Sequence, residues 1–331
     1  MAVLPLVSVI LPTLNEEKTI EKTIISFIES DYQNVELIVV DGMSSDRTRE
    51  IVERLKEKYP NKIRLLENSK KYTPSGINIG IKNANGKYIM LASGHASYSK
   101  NYISACVQAL ENNECDVAGG VMEVLPRSSN VKAVAISEIL KHPFGIGGAK
   151  YRTNNQKKEY VDTVAYGIYK REIFEKVGLF NEELIRNQDI EFNIRLKNAG
   201  YKILLIPEAR AYYYARDTYT KLWQNNYSNG FWVTHSSKFV KRAYRPRHLV
   251  PMLFVLYLIS LLLLLLPVNR VLKFLYALPA SLYLALSIYF SLQVAIKHKK
   301  IALVPYTFFS FLVLHISYGI GSIVGIFKNR R

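Results

Sequence analysis

The segment VSVILPTLNEE, Val7–Glu17, begins with an apolar run rich in β-branched residues and ends in polar ones. A short, nearly continuous apolar run of this kind is typical of a strand that is buried on both faces of a sheet. A similar run begins the segment VELIVVDGMSSDRT, Val35–Thr48. Between the two runs, Glu16–Glu29 carries apolar residues at helical spacing. The pattern predicts a strand, a helix and a second strand in succession.

The same alternation continues along the chain. Further strands are predicted at 63–66, 88–92, 116–124 and 202–207, and helices at 45–58, 73–83, 102–112, 171–177 and 189–198. Strands that alternate with helices in this way predict a mostly parallel, Rossmann-like α/β sheet with both faces covered. Ligands bind such sheets at the carboxyl ends of the strands, where Asp41 and Ser93 fall. No linker is visible before Asp217, so residues 1–217 are predicted to form one domain.

The charge of the chain is concentrated at its C-terminal end. Of the formal net charge of +17 over 331 residues, +14 falls after Asp217, where 14 Lys or Arg residues occur without a single acid. The remaining +3 does not favour a nucleic-acid binder, and basic residues beside apolar runs are typical of a membrane surface; a solvated basic face is the alternative.

Cys106 and Cys115 match no metal or redox spacing and are expected to be buried, reduced thiols. The N-terminal residues lack a basic leader, so no signal peptide is expected.

Three uncharged apolar runs are long enough to cross a membrane, at 250–266, 274–296 and 301–327. They predict a membrane domain at 249–331 after an interfacial basic and aromatic segment at 218–248; a buried helical bundle is the alternative. The basic segment Lys238–His248 and the loop Lys297–Lys300 both favour the cytoplasmic side. Three spans would then put the basic C-terminal residues outside, against this rule, unless one run is re-entrant or interfacial.

The polar strand ends carry a family resemblance. Val7–Glu17 and Val35–Thr48, together with GINIGIKNANGKYIMLASGHA (Gly76–Ala96) and VGLFNEELIRNQDIEFNIRLKNAGYKI (Val177–Ile203), resemble the family 2 glycosyltransferases of GT-A type. The likeness covers roughly residues 5–215. The loop HPFGIGGAKYR (His142–Arg152) and the stretch VDTVAYGIYKREIFEKVG (Val161–Gly178) resemble the ExoA-like branch of succinoglycan biosynthesis. The resemblance implies a nucleotide-sugar donor site, UDP-linked, made by Pro12, Thr13, Asn15, Glu16, Asp41, Ser44, Asn78, Ser93 and Gly94.

The resemblance also implies an inverting reaction, in which an acceptor hydroxyl attacks the anomeric carbon and a nucleoside diphosphate leaves. Asp189 matches the acid of the family's Gln-Asp motif and is the predicted catalytic base. Glu191 is a weaker alternative. Without the resemblance, Asp189 could equally serve to favour the dipole at the start of a helix.

The predicted metal site departs from the family pattern. Ser93-Gly94-His95 occupies the place of the Asp-x-Asp that holds a divalent cation on the diphosphate. Three alternatives follow. In the first, His95 ligates Mn²⁺ or Mg²⁺ together with the diphosphate and water. In the second, cationic side chains such as Lys71 or Arg152 replace the metal. In the third, the enzyme is impaired.

The acceptor side is predicted from the same resemblance. Gly147, Gly148 and Arg152 lie in a glycine-rich loop expected to be mobile near the acceptor, and Gln188 precedes the base. The processive Gln-x-x-Arg-Trp motif is incomplete around Gln224, which favours transfer of one sugar. Aromatic residues at 223–232 suit a membrane interface, where a polyprenyl-linked saccharide of surface glycan or exopolysaccharide synthesis could be reached from the cytoplasmic side.

Two other classes of function remain open at this point. A non-catalytic membrane scaffold would explain Ser93, but Asp41 and Asp189 argue against it. A channel or transporter is disfavoured because the apolar runs carry almost no ionisable residue besides His315, which could also be a packing residue that bonds a neighbouring helix.

Overall fold

The computed structural model describes residues 4–153, 156–238, 246–267 and 269–328. Its strands are β1 (Val7–Thr13), β2 (Val35–Asp41), β3 (Ile63–Glu67), β4 (Tyr88–Leu91), β5 (Ala96–Tyr98), β6 (Val117–Leu125), β7 (Glu159–Tyr160), β8 (Ala165–Lys170) and β9 (Ile203–Tyr214). Its α-helices are α1 (Ile20–Ile28), α2 (Thr48–Lys58), α3 (Thr73–Asn83), α4 (Tyr102–Glu111), α5 (Val131–Ile139), α6 (Pro143–Ile146), α7 (Glu172–Lys176), α8 (Gln188–Asn198), α9 (Tyr219–His235), α10 (Val250–Ser260), α11 (Arg270–Lys297) and α12 (Leu303–Phe327).

The strands form one mixed sheet in the order β3-β2-β1-β4-β8-β6-β9-β5, with β7 beside β9. The first four strands of this order are mutually parallel, in the register Thr13 opposite Asp41 and Val9 opposite Met90. β8 runs antiparallel to both β4 and β6, and β9 runs antiparallel to β5 and β7. The predicted GT-A-like fold is confirmed, with the parallel half where the sequence predicts it. The antiparallel half is not distinguished by sequence, because antiparallel strands buried on both faces give the same apolar runs.

Alternating side chains of the strands build a core on each face of the sheet. Val9 and Leu11 are fully buried in one core, together with Ile24 and Phe27 of α1. Ile10 lies in the other, against residues of α3 and α8. Both faces are therefore apolar, which explains the continuous apolar run of β1.

The boundaries of two helices differ from the sequence prediction near the sheet edge. α1 begins at Ile20 rather than at residue 16, because Asn15 has a left-handed backbone (φ 56°) and the Glu16 and Glu17 amides bond to Thr48 and Asp46. α2 begins at Thr48, whose amide donates a hydrogen bond to the Asp46 carboxylate at 3.0 Å.

The chain forms two compact units. The first contains Met1–Glu123 and Ala149–Tyr214, and the second contains Val124–Gly148 and Ala215–Arg331. The sequence placed a single boundary after residue 217, close to the end of the first unit. In this division residues 124–148 group with the C-terminal helices, and the predicted domain boundary at residue 217 stays a prediction. Cys106 and Cys115 are both buried and free, and burial raises the pKa of Cys115 to about 12.

Within the second unit, α9 and α12 run side by side at very short range. A Cβ built on Gly230 would lie 1.9 Å from the Tyr318 carbonyl oxygen, and one built on Gly321 would lie 2.1 Å from that of Tyr227. Glycine is therefore required at both positions for the backbones to approach. Thr234 of α9 completes the contact by donating to the Ser322 carbonyl.

Two helices in the described part of the chain are long and apolar enough to cross a membrane, Arg270–Lys297 and Leu303–Phe327. They match the second and third predicted spans. The first predicted span, 250–266, forms a shorter apolar helix, Val250–Leu265, whose last turns are 3₁₀. Of the basic segment Lys238–His248, residues 239–245 lie outside the described residues, as do the C-terminal residues 329–331.

Candidate active site

The loops after β1 and β2 are tied together at the edge of the sheet. Asp41 is 1% exposed and accepts hydrogen bonds from the Ser44 hydroxyl (2.6 Å) and the Ser44 amide (3.1 Å). The Ser44 hydroxyl in turn accepts from the Asn15 amide at 3.0 Å, and the Asn15 side chain accepts from the Ser45 amide at 2.8 Å. Four predicted donor-binding positions, Thr13, Asn15, Asp41 and Ser44, therefore form one rigid edge.

The floor of this edge is closely packed. The Gly42 amide donates to the Thr13 carbonyl at 2.8 Å, and a Cβ on Gly42 would lie 3.2 Å from the carbonyl oxygens of both Thr13 and Lys71. The Thr13 hydroxyl is buried and has no hydrogen-bond partner among the described residues. Pro12 packs against Gly76 of α3. A buried hydroxyl without a partner is costly, and a ligand atom at this edge could satisfy it.

The Ser93-Gly94-His95 turn follows β4 and meets Glu16 from the β1 loop. Glu16 Oε1 lies 2.9 Å from His95 Nδ1, and the side chain of His95 is 43% exposed. The Ser93 hydroxyl lies 3.1 Å from Nδ1 and 3.2 Å from Nε2 of His95. A Cβ on Gly94 would lie 3.1 Å from Thr13 Cγ2, so this turn packs directly on the end of β1.

The donor atoms at this turn decide what kind of metal ion could bind. No group of three or more His, Cys, Asp or Glu side chains arranged for a metal ion occurs within residues 4–328 as far as they are described. Glu16 orients His95 through one ring nitrogen, in the way that carboxylates commonly orient the imidazoles that bind metals. The donor atoms at this turn would suit an ion that is coordinated mainly by a diphosphate, with His95 as one protein ligand. They suit an ion coordinated by the protein alone less well.

Asp189 and Glu191 stand on the first turn of α8 in contrasting surroundings. Glu191 is 4% exposed, and both of its carboxylate oxygens accept from Arg195, at 2.6 and 3.0 Å. Asp189 is solvent-exposed. The protein around its carboxyl desolvates it and raises its pKa, against the lowering effect of backbone amides and of Arg152 and Arg186. An exposed yet desolvated carboxyl is typical of a concave site, and Asp189 is the acid of this pair that can meet a substrate.

Arg152 and three tyrosines connect Asp189 to the His95 turn. Arg152 lies close enough to Asp189, Tyr166 and Tyr213 for their charges to interact, and its guanidinium lies 5.5 Å from the ring of Tyr151. The ring of Tyr213 stands edge-on to His95, with centroids 5.7 Å apart. Burial raises the pKa of Tyr166, on which the charges of both Arg152 and Glu16 act. Arg152 Nε is buried and finds no hydrogen-bond acceptor within the described residues.

This aromatic lining was missed by the sequence analysis. Tyr151 lies in a 3₁₀ turn, Tyr166 on β8 and Tyr213 on β9, so no local sequence pattern links the three rings. The feature that marks this region is the left-handed backbone of Tyr166 (φ 52°), which is unusual for an aromatic residue. It could not be found from the sequence, because a backbone angle is visible only in the structure.

Asn78, Gly147 and Gly148 are three further predicted site residues. Asn78 is 4% exposed, and its amide donates to the Phe180 carbonyl and to Glu182, each at 2.9 Å, while it accepts from the Phe180 amide at 3.0 Å. To contact a sugar-nucleotide donor, the Asn78 side chain would have to give up one of these hydrogen bonds. Gly147 and Gly148 belong to the second unit, whereas Arg152 and Gln188 belong to the first. The prediction that these glycines bind the acceptor stays a prediction.

Comparison with known proteins gives a consistent family. A family model described as glycosyl transferase family 2 matches residues 8–178. The dolichyl N-acetyl-alpha-D-glucosaminyl phosphate 3-beta-D-2,3-diacetamido-2,3-dideoxy-beta-D-glucuronosyltransferase of Methanococcus voltae is 30% identical over 233 residues, covering 68% of this chain and 71% of that protein. The succinoglycan biosynthesis protein ExoA of Rhizobium meliloti is 27% identical over 249 residues, covering 74% of each.

A solved structure supports the fold assignment. A mannosyltransferase from Pyrobaculum calidifontis, solved with GDP-Man and Mn²⁺, matches with a TM-score of 0.63 and 17% sequence identity. The match covers 97% of this chain and 88% of that one. At this identity the likeness concerns the fold.

Proposed function

The chain belongs to glycosyl transferase family 2 and is a glycosyltransferase, and we propose that it moves one sugar from a UDP-linked donor to a lipid-linked saccharide at a membrane. The names of its relatives from M. voltae and R. meliloti, a dolichyl phosphate-saccharide transferase and a succinoglycan biosynthesis protein, support a lipid-linked acceptor and a surface glycan or exopolysaccharide product. The incomplete Gln-x-x-Arg-Trp motif supports transfer of a single sugar.

The nucleoside is proposed to bind at the joined ends of β1 and β2. Asp41 is fixed by Ser44, and the unpartnered Thr13 hydroxyl is available at the same edge of the described structure. A carboxylate and a hydroxyl held in this way can bond the polar edge of a base or a ribose without further rearrangement, which lowers the entropy cost of binding.

Asp189 is proposed as the general base. The acceptor hydroxyl oxygen forms a bond to the anomeric carbon, its proton passes to the Asp189 carboxylate, and the bond between that carbon and the diphosphate oxygen breaks, so that the nucleoside diphosphate leaves from the opposite face. The observation that carries this role is the contrast on α8. The Asp189 side chain is exposed, and the surrounding protein partly desolvates its carboxyl. Glu191, in contrast, is buried, and both of its carboxylate oxygens accept hydrogen bonds from Arg195.

Positive charge at the leaving diphosphate is proposed to come from Arg152 and from the His95 turn. Arg152 has a buried Nε that lacks an acceptor among the described residues, so an incoming anion could satisfy it. A divalent cation bound with the donor, held on the protein side by His95, would neutralise diphosphate charge. Glu16 keeps the imidazole of His95 in place.

The membrane location is proposed from the second unit. α11 is exposed along most of its length and carries no charge between Lys273 and Lys297, as a lipid-facing helix requires. The basic turn at Lys297–Lys300 favours a cytoplasmic position for that end of the α11–α12 hairpin, and the basic sequence segment Lys238–His248 favours the same side for the catalytic unit that precedes it in the chain. The first predicted span, over 250–266, stays a proposal.

Turnover of a panel of sugar nucleotides by the purified full-length protein in detergent tests this function. Each donor is supplied with EDTA, Mg²⁺ or Mn²⁺, beside Asp189→Asn and His95→Ala variants. Hydrolysis of one donor that requires a divalent ion and is lost in both variants is expected. Hydrolysis unaffected by EDTA would transfer the role of the metal to cationic side chains. If no donor is bound or turned over, the non-catalytic scaffold that Ser93 favours replaces the proposal.

A further inference from the structure

Residues 142–146, the anchor segment, lie among the C-terminal helices of the second unit. The ring of Phe144 contacts those of Phe290 (5.1 Å between centroids) and Tyr283 (5.6 Å) on α11, and that of Phe311 (5.0 Å) on α12. The His142 ring lies 4.5 Å from that of Phe290. A Cβ on Gly145 would lie 2.2 Å from the Ile139 carbonyl oxygen, so this turn is tightly seated as well.

His315 of α12 connects the anchor segment to α11. Its Nε2 lies 2.9 Å from the Phe144 carbonyl oxygen, and its Nδ1 lies 2.8 Å from the Tyr283 hydroxyl. Because a carbonyl oxygen only accepts, Nε2 must carry the hydrogen, and Nδ1 then accepts from the tyrosine in the neutral ring. His315 is 9% exposed, and its two ring nitrogens join three segments of the chain.

The anchor segment leads directly into the predicted acceptor loop. α6 ends at Gly147, which has a left-handed backbone (φ 66°) and no atom within 4 Å of a built Cβ. Gly148 follows, and the first unit resumes at Ala149, with Arg152 three residues later. The order along the chain is thus a fixed turn, two exposed glycines that allow movement, and the residue proposed to meet the substrate.

We propose that His315 is a positioning residue. By holding the Phe144 carbonyl, it fixes the start of the acceptor loop, with Gly147 and Gly148, to the apolar helices of the same unit, where a lipid-linked acceptor would meet it. This inference rests on the proposed function, since it supposes that the acceptor is borne by a membrane. It accounts for a histidine in the middle of α12, where a group that can ionise is costly unless it has a role.

Hydrogen exchange of the full-length protein in lipid nanodiscs tests the anchor without knowledge of the substrate. The Gly145 and Ile146 amides bond to the His142 carbonyl, the Gly147 amide bonds to Pro143, and those of Arg152 and Thr153 bond within the loop. In His315→Ala, exchange at 145–147 should accelerate by about tenfold, whereas exchange at Arg152 and Thr153, which lie beyond the two exposed glycines, should stay unchanged. His315→Gln, whose amide can donate as Nε2 does, should restore most of the protection.

The control is Phe309→Ala, which removes a ring that is 57% exposed on the same helix and should leave both sets of amides unchanged. Unchanged exchange at 145–147 in His315→Ala would overturn the anchor. Equal acceleration at Arg152 and Thr153 would indicate a general loosening of the protein and would overturn the local positioning role. Donor hydrolysis is measured in parallel and should not change in His315→Ala. If the wild-type protein turns over no donor, the proposed function fails while the exchange data still decide the anchor.

Discussion

Replacing Glu138 by Gln should destabilise the second unit by about 3 kcal/mol at neutral pH. Glu138 of α5 is 6% exposed and bonds Lys141 (2.7 Å), Lys297 (2.8 Å) and His298 (3.2 Å), the last two at the turn between α11 and α12. Burial by itself raises the pKa of this carboxyl, but the hydrogen bonds from Lys141 and Lys297 outweigh it and bring the pKa from 4.5 to about 2. The difference between these two pKa values, at about 1.4 kcal/mol for each pKa unit, gives the predicted loss of unfolding free energy.

The sign of the pH dependence follows from the lowered pKa. A carboxyl that is more acidic in the folded state stabilises that state fully above its unfolded pKa, and the contribution is lost as the pH falls through the folded one. The wild-type protein should therefore lose this stability between pH 4.5 and about pH 2. Glu138→Gln should lack that part of the profile, because it has no proton to bind at this position.

The assay is thermal unfolding followed by tryptophan fluorescence. The two tryptophans of the chain, Trp223 and Trp232, both lie in α9 and report on the second unit. A loss of this size should lower Tm by on the order of 10 °C. The control is Lys300→Gln, which removes a charge at an exposed lysine of the same turn. The reasoning would be refuted if Glu138→Gln and Lys300→Gln had equal Tm values. It would also be refuted if Tm fell with pH in Glu138→Gln as it does in the wild-type protein.

Three further predictions concern catalysis, donor binding and packing. Because desolvation by the surrounding protein raises the pKa of Asp189 and its role requires the carboxylate, the acid limb of kcat should lie above the ordinary aspartate value of 3.8, and Arg152→Gln, which removes a lowering charge, should move it higher; a limb that Arg152→Gln leaves in place would contradict this. Asp41→Asn should weaken donor binding roughly tenfold, measured by calorimetry, because Ser44 and the loop it holds lose a charged acceptor; unchanged affinity would remove Asp41 from the nucleoside site. Gly321→Leu should prevent α9 and α12 from packing, since its Cβ would lie 2.1 Å from a backbone oxygen, and should cost several kcal/mol by the same fluorescence assay. The matched control is Ile320→Ala at the neighbouring, partly exposed position, which should cost about 1 kcal/mol; equal losses for the two variants would argue against the close approach of the helices.

The parallel half of the sheet and much of the candidate site could be predicted from the sequence. Short apolar runs ending in Thr13, Asp41 and Ser93 bring polar residues to one edge because parallel strands end together. Asp189 was singled out by family resemblance, and the structure adds the reason to prefer it to Glu191, namely the ion pair of Glu191 with Arg195.

What the sequence could not predict depends on contacts between distant segments. The engagement of Asn78 by Phe180 and Glu182 spans about a hundred residues, and neither partner has a distinctive pattern. The grouping of residues 124–148 with the C-terminal helices was also hidden. α5 has the apolar composition of an ordinary core helix, and only its packing on α11 and α12 and the pairing of Glu138 with Lys297 reveal its location.

The configuration of the released sugar tests most directly the claim that Asp189 acts as a base in an inverting transfer. Proton NMR is used to follow hydrolysis of an α-linked sugar nucleotide by the full-length protein, at an enzyme concentration high enough to outrun mutarotation. Direct displacement by a water that Asp189 deprotonates predicts the β-anomer as the first product, and no product from Asp189→Asn. The α-anomer as first product would contradict the claim, because retention requires a covalent intermediate or attack from the same face.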